Sequence, residues 1–373
     1  MAAGVGERRR PKGWVLLCTG VFSGVVFTGG ASAQDVQVDD RVVCPACSIE
    51  SGVVSTLRPD WSVASFLQVP HPAVAKLTTG AFAAAPMAGG GRIGLFDEVG
   101  AFVRSIGREG QGPGEFYGPR MKVGLRPGAA GELHATQRDR WYVISHVTAE
   151  DVRVASTTMD VRADDMVPLG DELLVQAVIF EPGGTTAPIQ AVNRSGTAYR
   201  GVGVTRGRPI SRESEFDRYR VLAPTKDGEA VWSGYLTRFE VSRFTPAGEE
   251  QARIVRNAPW FQPYDETLMG ELFVVPQRPR IQSIAESSDG LLWIAVSRGD
   301  RNHEPVRIDG TGGEATVAAD YDMNTLLDTV IEVIDVERGV VVARREFDQF
   351  LNFVSTLDGS IQAYSLVLDG EDY

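Results

Sequence analysis

The chain has 373 residues, 43% of them hydrophobic and 23% charged, with a formal net charge of −12 at pH 7. That length admits one large domain or two ordinary ones, and the apolar content supports a sizeable buried core. The acidic balance argues against a nucleic-acid partner, because affinity for phosphate backbones comes from clustered Lys and Arg.

The first residues read as an export signal. Arg8, Arg9, Arg10 and Lys12 form a cationic head, and Trp14 to Phe27 is an apolar stretch broken by Thr19, Gly20, Ser23 and Gly24. Ala31-Ser32-Ala33 offers small residues to a signal peptidase, so cleavage is expected near Ala33-Gln34, with a periplasmic or secreted destination. The stretch falls short of the roughly 20 apolar residues that cross a bilayer, so no membrane span is expected in the mature chain. Four basic residues and one acidic residue leave with residues 1–33, taking the net charge from −12 to −15.

Cys44-Pro45-Ala46-Cys47 then holds the only cysteines of the mature chain. An oxidising compartment favours a disulfide between Cys44 and Cys47. A thioredoxin-like redox pair would sit at a helix N-terminus, and nothing helical follows Cys47. Zinc would need two further ligands, and the chain has no second CxxC and no paired histidines. No metal and no cofactor is expected.

From there on, short alternating runs closed by turn residues replace any helical periodicity. Five outer hairpins share one pattern, beginning at Arg92, Trp141, Ile189, Phe239 and Ile331. The turn positions Asp97, Ser145 and Asn193 lie 48 residues apart each time, the size of one four-stranded propeller blade. Six inner hairpins precede or follow them: Leu77 to Pro86, Met121 to Gln137, Met166 to Phe180, Arg220 to Gly234, Ile281 to Ser297 and Phe353 to Leu368. Three turn on Asp-Gly, a strong hairpin signal. Six inner against five outer hairpins predicts an all-β, six-bladed β-propeller with an incomplete last blade. A strand from Val36 to Val43 or from Val53 to Leu57 would close that blade. The expected divisions are a signal peptide over 1–33, an N-terminal segment with the CxxC and closing strand over 34–73, and the propeller over 74–373. The connection from Arg298 to Asp328 is long for a blade, and its end, from Tyr321, reads as a short helix.

Gly107-Arg-Glu-Gly-Gln-Gly-Pro-Gly-Glu-Phe116, after the Phe96-Asp97 turn, resembles the blade junction of NHL-type six-bladed propellers, in particular secreted bacterial members that open with a CxxC segment. The resemblance spans about residues 74–368 and is specific only at that junction. It implies the fold and leaves function open, since this ring hosts ligand binders, scaffolds and a few metal-dependent lyases and hydrolases.

Residue by residue, the binder reading is favoured over the enzyme. The Gly107–Gly114 stretch lacks the Lys-Ser/Thr pair and following helix of a phosphate cradle. The histidines, His71, His134, His146 and His303, do not occupy equivalent blade positions, so no axial histidine ring can form. His134 reads as a packed or rim residue. Asp139, Glu181 and Asp300 are oxygen ligands within reach of the axis, the basis of a metal-dependent lyase or hydrolase as the alternative. No Gly-x-Ser-x-Gly elbow occurs. The site candidates are Arg92, Arg140 and Arg238, each just before a third strand, Arg298 just after a second strand, and Trp141 beside them as an apolar wall. Converging on a funnel they would grip an anion bidentately. The competing reading is that each braces a neighbouring blade. The function expected is thus an exported binding or scaffold module for a protein or a small anionic ligand.

Overall fold

In the computed structural model the alternating runs fold as strands, and among the described residues only Leu326 is helical. Those residues are 34–44, 47–53, 55–57, 72–85, 91–112, 114–117, 123–128, 131–148, 151–177, 187–203, 219–262, 278–300 and 326–365. The signal peptide, His71, Glu181, His303 and most of the expected helix from Tyr321 lie outside them; of its end, Leu326 is helical, while Leu327 and Asp328 begin a strand. No helix of the described residues is long and apolar enough to cross a membrane.

The chain enters on β1 (Gln34–Gln37). The first blade is β2 (Ala73–Lys76), β3 (Phe82–Ala85), β4 (Ile93–Phe96) and β5 (Phe102–Ile106). The second is β6 (Gly124–Pro127), β7 (Leu133–Ser145) and β8 (Arg153–Ala163). It has three strands because only Arg138 to Arg140 separate its expected second and third strands. The chain runs straight on as β7, bending at Arg138, whose φ is 56°.

The third blade is β9 (Asp165–Leu169), β10 (Glu172–Gln176), β11 (Ile189–Val192) and β12 (Ala198–Val202). The fourth is β13 (Arg220–Pro224), β14 (Val231–Tyr235), β15 (Glu240–Phe244) and β16 (Glu250–Val255). The fifth is β17 (Arg280–Glu286), β18 (Leu292–Gly299), β19 (Leu327–Asp335) and β20 (Val340–Phe347). Last come β21 (Asn352–Phe353) and β22 (Ala363–Tyr364), a sheet of two strands.

The structure therefore has five blades where six were expected. The sixth inner hairpin does form, as β21 and β22, but no outer strand is added to it among the described residues. Its place in the ring is nonetheless filled. The innermost strands β2, β6, β9, β13, β17 and β21 neighbour one another in that order. Ser355, just after β21, closes the circle by accepting from Lys76 N–H at 2.9 Å and donating to the Val74 carbonyl at 2.9 Å.

The closing strand also differs from expectation. β1 joins the fourth blade, not the last, pairing in parallel with β16 through Val36 opposite Ile254. Val42 bridges Val341 of β20, and the Arg345 guanidinium donates to the Ile49 carbonyl. Leu57 packs against the apolar cluster of the first blade. The N-terminal segment is thus a belt along the outer edges of the fourth, fifth and first blades. Within it, Cys44 and Cys47 are joined by the expected disulfide. Gly100 marks the belt's tightest crossing. Its φ is +86°, and a Cβ there would meet the Thr56 carbonyl oxygen at 2.2 Å, so only glycine fits.

Hydrophobic packing lies between blades rather than in one central core. One cluster joins the first and second blades through Leu95, Ile106, Leu133 and Ile144. Another joins the fourth and fifth through Trp232, Ile254, Ile294 and Val330, and the belt residues Val36 and Val38 are part of it. A blade between two others buries both faces, which is why β19 reads as buried residues from Leu327 to Ile334 rather than as an alternation. Where this belt crosses from the fourth blade to the fifth, a charged network is buried. Arg256, with a fully buried side chain, contacts Glu332 at 2.9 Å and Asp40 at 2.6 Å, and Arg344 contacts the same two carboxylates.

Candidate ligand-binding site

The ring of innermost strands leaves a cavity of about 960 Å³ on its axis, lined by residues from all six inner positions. Its walls mix apolar side chains, including Val74, Leu125, Val221 and Phe353, with charged ones such as Asp165, Arg220, Lys226 and Glu286. That size and character suit a small-molecule site, in which a few polar groups fix orientation.

The principal polar group is Arg126, a charged residue within the otherwise apolar strand β6. Its Nε donates to the Met166 carbonyl at 2.9 Å. Its Nη2 donates to the Leu222 carbonyl at 2.6 Å and to both Asp165 carboxylate oxygens, at 3.1 and 3.3 Å. Asp165 in turn accepts from the Leu222 N–H at 2.9 Å. One guanidinium and one carboxylate thus tie β6, β9 and β13 together at the axis. Nη1 of Arg126 has no hydrogen-bond partner among the described residues, and the side chain keeps 18% of its surface open. Also in the lining, the Tyr364 hydroxyl donates to the Pro72 carbonyl and accepts from Asn352 Nδ2 at 3.2 Å. Burial drives the Tyr364 phenol pKa up, and the Arg126 charge acts against that rise.

At the cavity's other end sit His134 and Trp141. The Trp141 indole N–H donates to His134 Nδ1 at 3.1 Å, and the two rings stack with centroids 5.8 Å apart. An accepting Nδ1 carries no proton, so the neutral imidazole holds its proton on Nε2, 3.6 Å from Glu132. Burial lowers the His134 pKa, with Glu132 opposing. His134 is a packed residue, 8% exposed.

Of the residues singled out from sequence, the structure brings Trp141 to the cavity and none of the four arginines. Arg92 is exposed just ahead of β4. Arg140 donates to the Gly112 carbonyl at 3.0 Å and the Gln111 carbonyl at 2.5 Å, and lies over the Tyr117 ring. It thereby clamps the glycine-rich junction. Arg238 lies 3.5 Å from the Tyr235 ring centroid, with Nε 3.3 Å from Glu240. Arg298 is 9% exposed and donates to both Glu346 oxygens, at 3.3 and 2.7 Å, with Asp328 at 3.6 Å. Each of these last three is engaged within its own neighbourhood, and they share no common volume.

The junction from Gly107 to Phe116 is likewise closed on itself. Phe116 N–H donates to the Arg108 carbonyl and Gly110 N–H to the Phe116 carbonyl, both at 2.8 Å. Glu115 accepts from Gly112 N–H at 2.8 Å and from Arg108 Nε at 2.7 Å. These bonds, the backbone one foremost, hold the Glu115 carboxyl below its usual range. Gly107 has φ +78°, and a Cβ there would meet the Phe116 ring at 2.3 Å.

Among the described residues, one group of three carboxylates is close enough to hold a metal: Asp300, Asp328 and Asp348, with ligand oxygens within 4.8 Å of one another. None of the three, nor Asp139, lines the axial cavity.

Arg126 and Asp165 are the residues that sequence reading missed. The repeat alignment looked for residues recurring at one blade position, whereas these two come from neighbouring inner strands and do not recur. The available signal was a charge inside a short apolar strand, which an inner strand tolerates only with a partner.

No family model matches the sequence, and no curated protein does. Among solved structures, a protein of Bacteroides fragilis described as exported is similar over 84% of this chain and 80% of its own, with 13% identity and a TM-score of 0.52. A member of the DUF4221 family from Bacteroides vulgatus is 8% identical over 75% of this chain and 82% of its own, with a TM-score of 0.46. A streptogramin B lyase is 13% identical over 80% and 91%, with a TM-score of 0.43. At 13% identity the likeness to the Bacteroides fragilis protein shows the fold alone, and with the blades described above the chain is a β-propeller.

Proposed function

We propose that the protein is an exported binding module that takes a small ligand in the axial cavity of its propeller. The observation that carries this reading is the cavity itself: about 960 Å³, walls that combine apolar and charged side chains, and the Arg126 guanidinium anchored to the wall by Nε and Nη2 with Nη1 left over. Pockets of this kind bind ligands by apolar burial, with the polar group setting orientation. Export rests on the cationic head, the apolar stretch and the Ala31-Ser32-Ala33 site, and it fits the disulfide. The NHL-like relationship rests on the Gly107–Phe116 junction. An anion site finds its support not at Arg92, Arg140, Arg238 and Arg298 but at Arg126, which lines the cavity with Nη1 left without a hydrogen-bond partner among the described residues.

Native mass spectrometry of protein recovered from the periplasmic fraction tests the reading. A small-molecule adduct should be present on the native protein and lost on denaturation. It should also be lost or reduced in Leu357→Trp, which enlarges a partly exposed side chain in the cavity lining. An adduct retained undiminished by that variant would place the ligand elsewhere and contradict the reading.

A further inference from the structure

We propose, building on the axial-cavity reading, that the ligand is an amphiphilic monocarboxylate, its headgroup on Arg126 Nη1 and its apolar body along the aliphatic wall. The guanidinium has five N–H groups in a fixed fork. Nε and Nη2 spend theirs on the Met166 and Leu222 carbonyls and on Asp165. That leaves the Nη1 N–H groups, from which a carboxylate accepts a charge-assisted hydrogen bond.

Asp165 sets the charge limit. It already lies against Arg126 at 3.1 Å, and Asp164 beside it also lines the cavity. One incoming negative charge meets the open guanidinium edge, while a second would face these two carboxylates; of the other cations in the lining, Arg194 is held by Asp171 at 2.7 Å, Arg220 lies over the Tyr235 ring and Lys226 is exposed. A phosphate monoester, which is dianionic above its second pKa of about 6, is therefore disfavoured. A neutral amide of the same length would bury as much apolar surface and lose the charge-assisted bond. The body is apolar where it runs along Val74, Leu125, Val221 and Phe353, which offer contact rather than hydrogen bonds. Asp165 is a positioning residue here, holding Arg126 at the axis through β9 and β13.

Titration calorimetry at pH 8 with octanoate, octanamide and octyl phosphate reads this directly on the purified protein. Octanoate should bind about tenfold or more tightly than either of the others, the ratio set by one charge-assisted hydrogen bond. Arg126→Met should abolish the preference for octanoate, and Arg126→Lys should retain part of it. Because Arg126 also ties three inner strands, the variants are read only where their melting curves remain cooperative. The ranking of the three probes on the unaltered protein stands without them. Octanamide or octyl phosphate binding as tightly as octanoate would overturn the inference while leaving the cavity reading in place. Failure of all three to bind would overturn both.

Discussion

Arginine carries most of the long-range polar structure in this protein, and its neighbours decide what each one does. Arg140 holds the carbonyls of a glycine-rich junction, Arg256 and Arg344 share Glu332 and Asp40, and Arg298 is fixed between Glu346 and Asp328. Sequence alone placed Arg298 just after the second strand of its blade, whereas it lies within β18, and could not supply its partner, because Glu346 lies 48 positions away on β20. With Asp328 only 6% exposed, removing the guanidinium leaves a buried carboxylate short of a counter-charge. Arg298→Ala is expected to lower stability by about 1.5–3 kcal/mol, measured by urea unfolding, with octanoate affinity unchanged. An unaltered unfolding midpoint together with weakened octanoate binding would mean that Arg298 belongs to a ligand site.

At the scale of elements, the hairpins were legible because their turns are written in local chemistry. Asp97 accepts from the N–H groups of Val99 and Ala101, and Asn193 from those of Ser195 and Thr197, each side chain fixing its own turn. The count of six inner and five outer hairpins was also legible. What the alternation could not give was the destination of β1, since the parallel partner of an edge strand is set by where the chain crosses the ring. Once there, β1 shields the outer edge of β16 and completes an interblade cluster through Val36 and Val38, each 6% exposed. The double substitution Val36→Ala and Val38→Ala should cost about 2–4 kcal/mol, seen as a lower midpoint in chemical denaturation. A midpoint within error of the unaltered protein would show that the belt is dispensable to the ring.

Over the whole molecule, five blades and one two-stranded hairpin surround an axis that three inner strands close with Arg126 and Asp165, and three close with Ser283, Tyr364 and Ser355. The asymmetry comes from the sequence: the inner strands differ from blade to blade while the outer hairpins repeat. Packing between blades fixes the ring, and the non-repeating inner residues give the cavity its chemistry. The central claim is that this cavity is the binding site and that Arg126 orients what enters it. The most direct measurement is a crystal structure of the protein soaked with octanoate. Density is expected on the axis, with the carboxylate within hydrogen-bond distance of Arg126 Nη1 and the chain along Val74, Leu125 and Val221. Octanoate bound outside the axial cavity, or bound within it with the carboxylate turned away from Arg126, would contradict that claim.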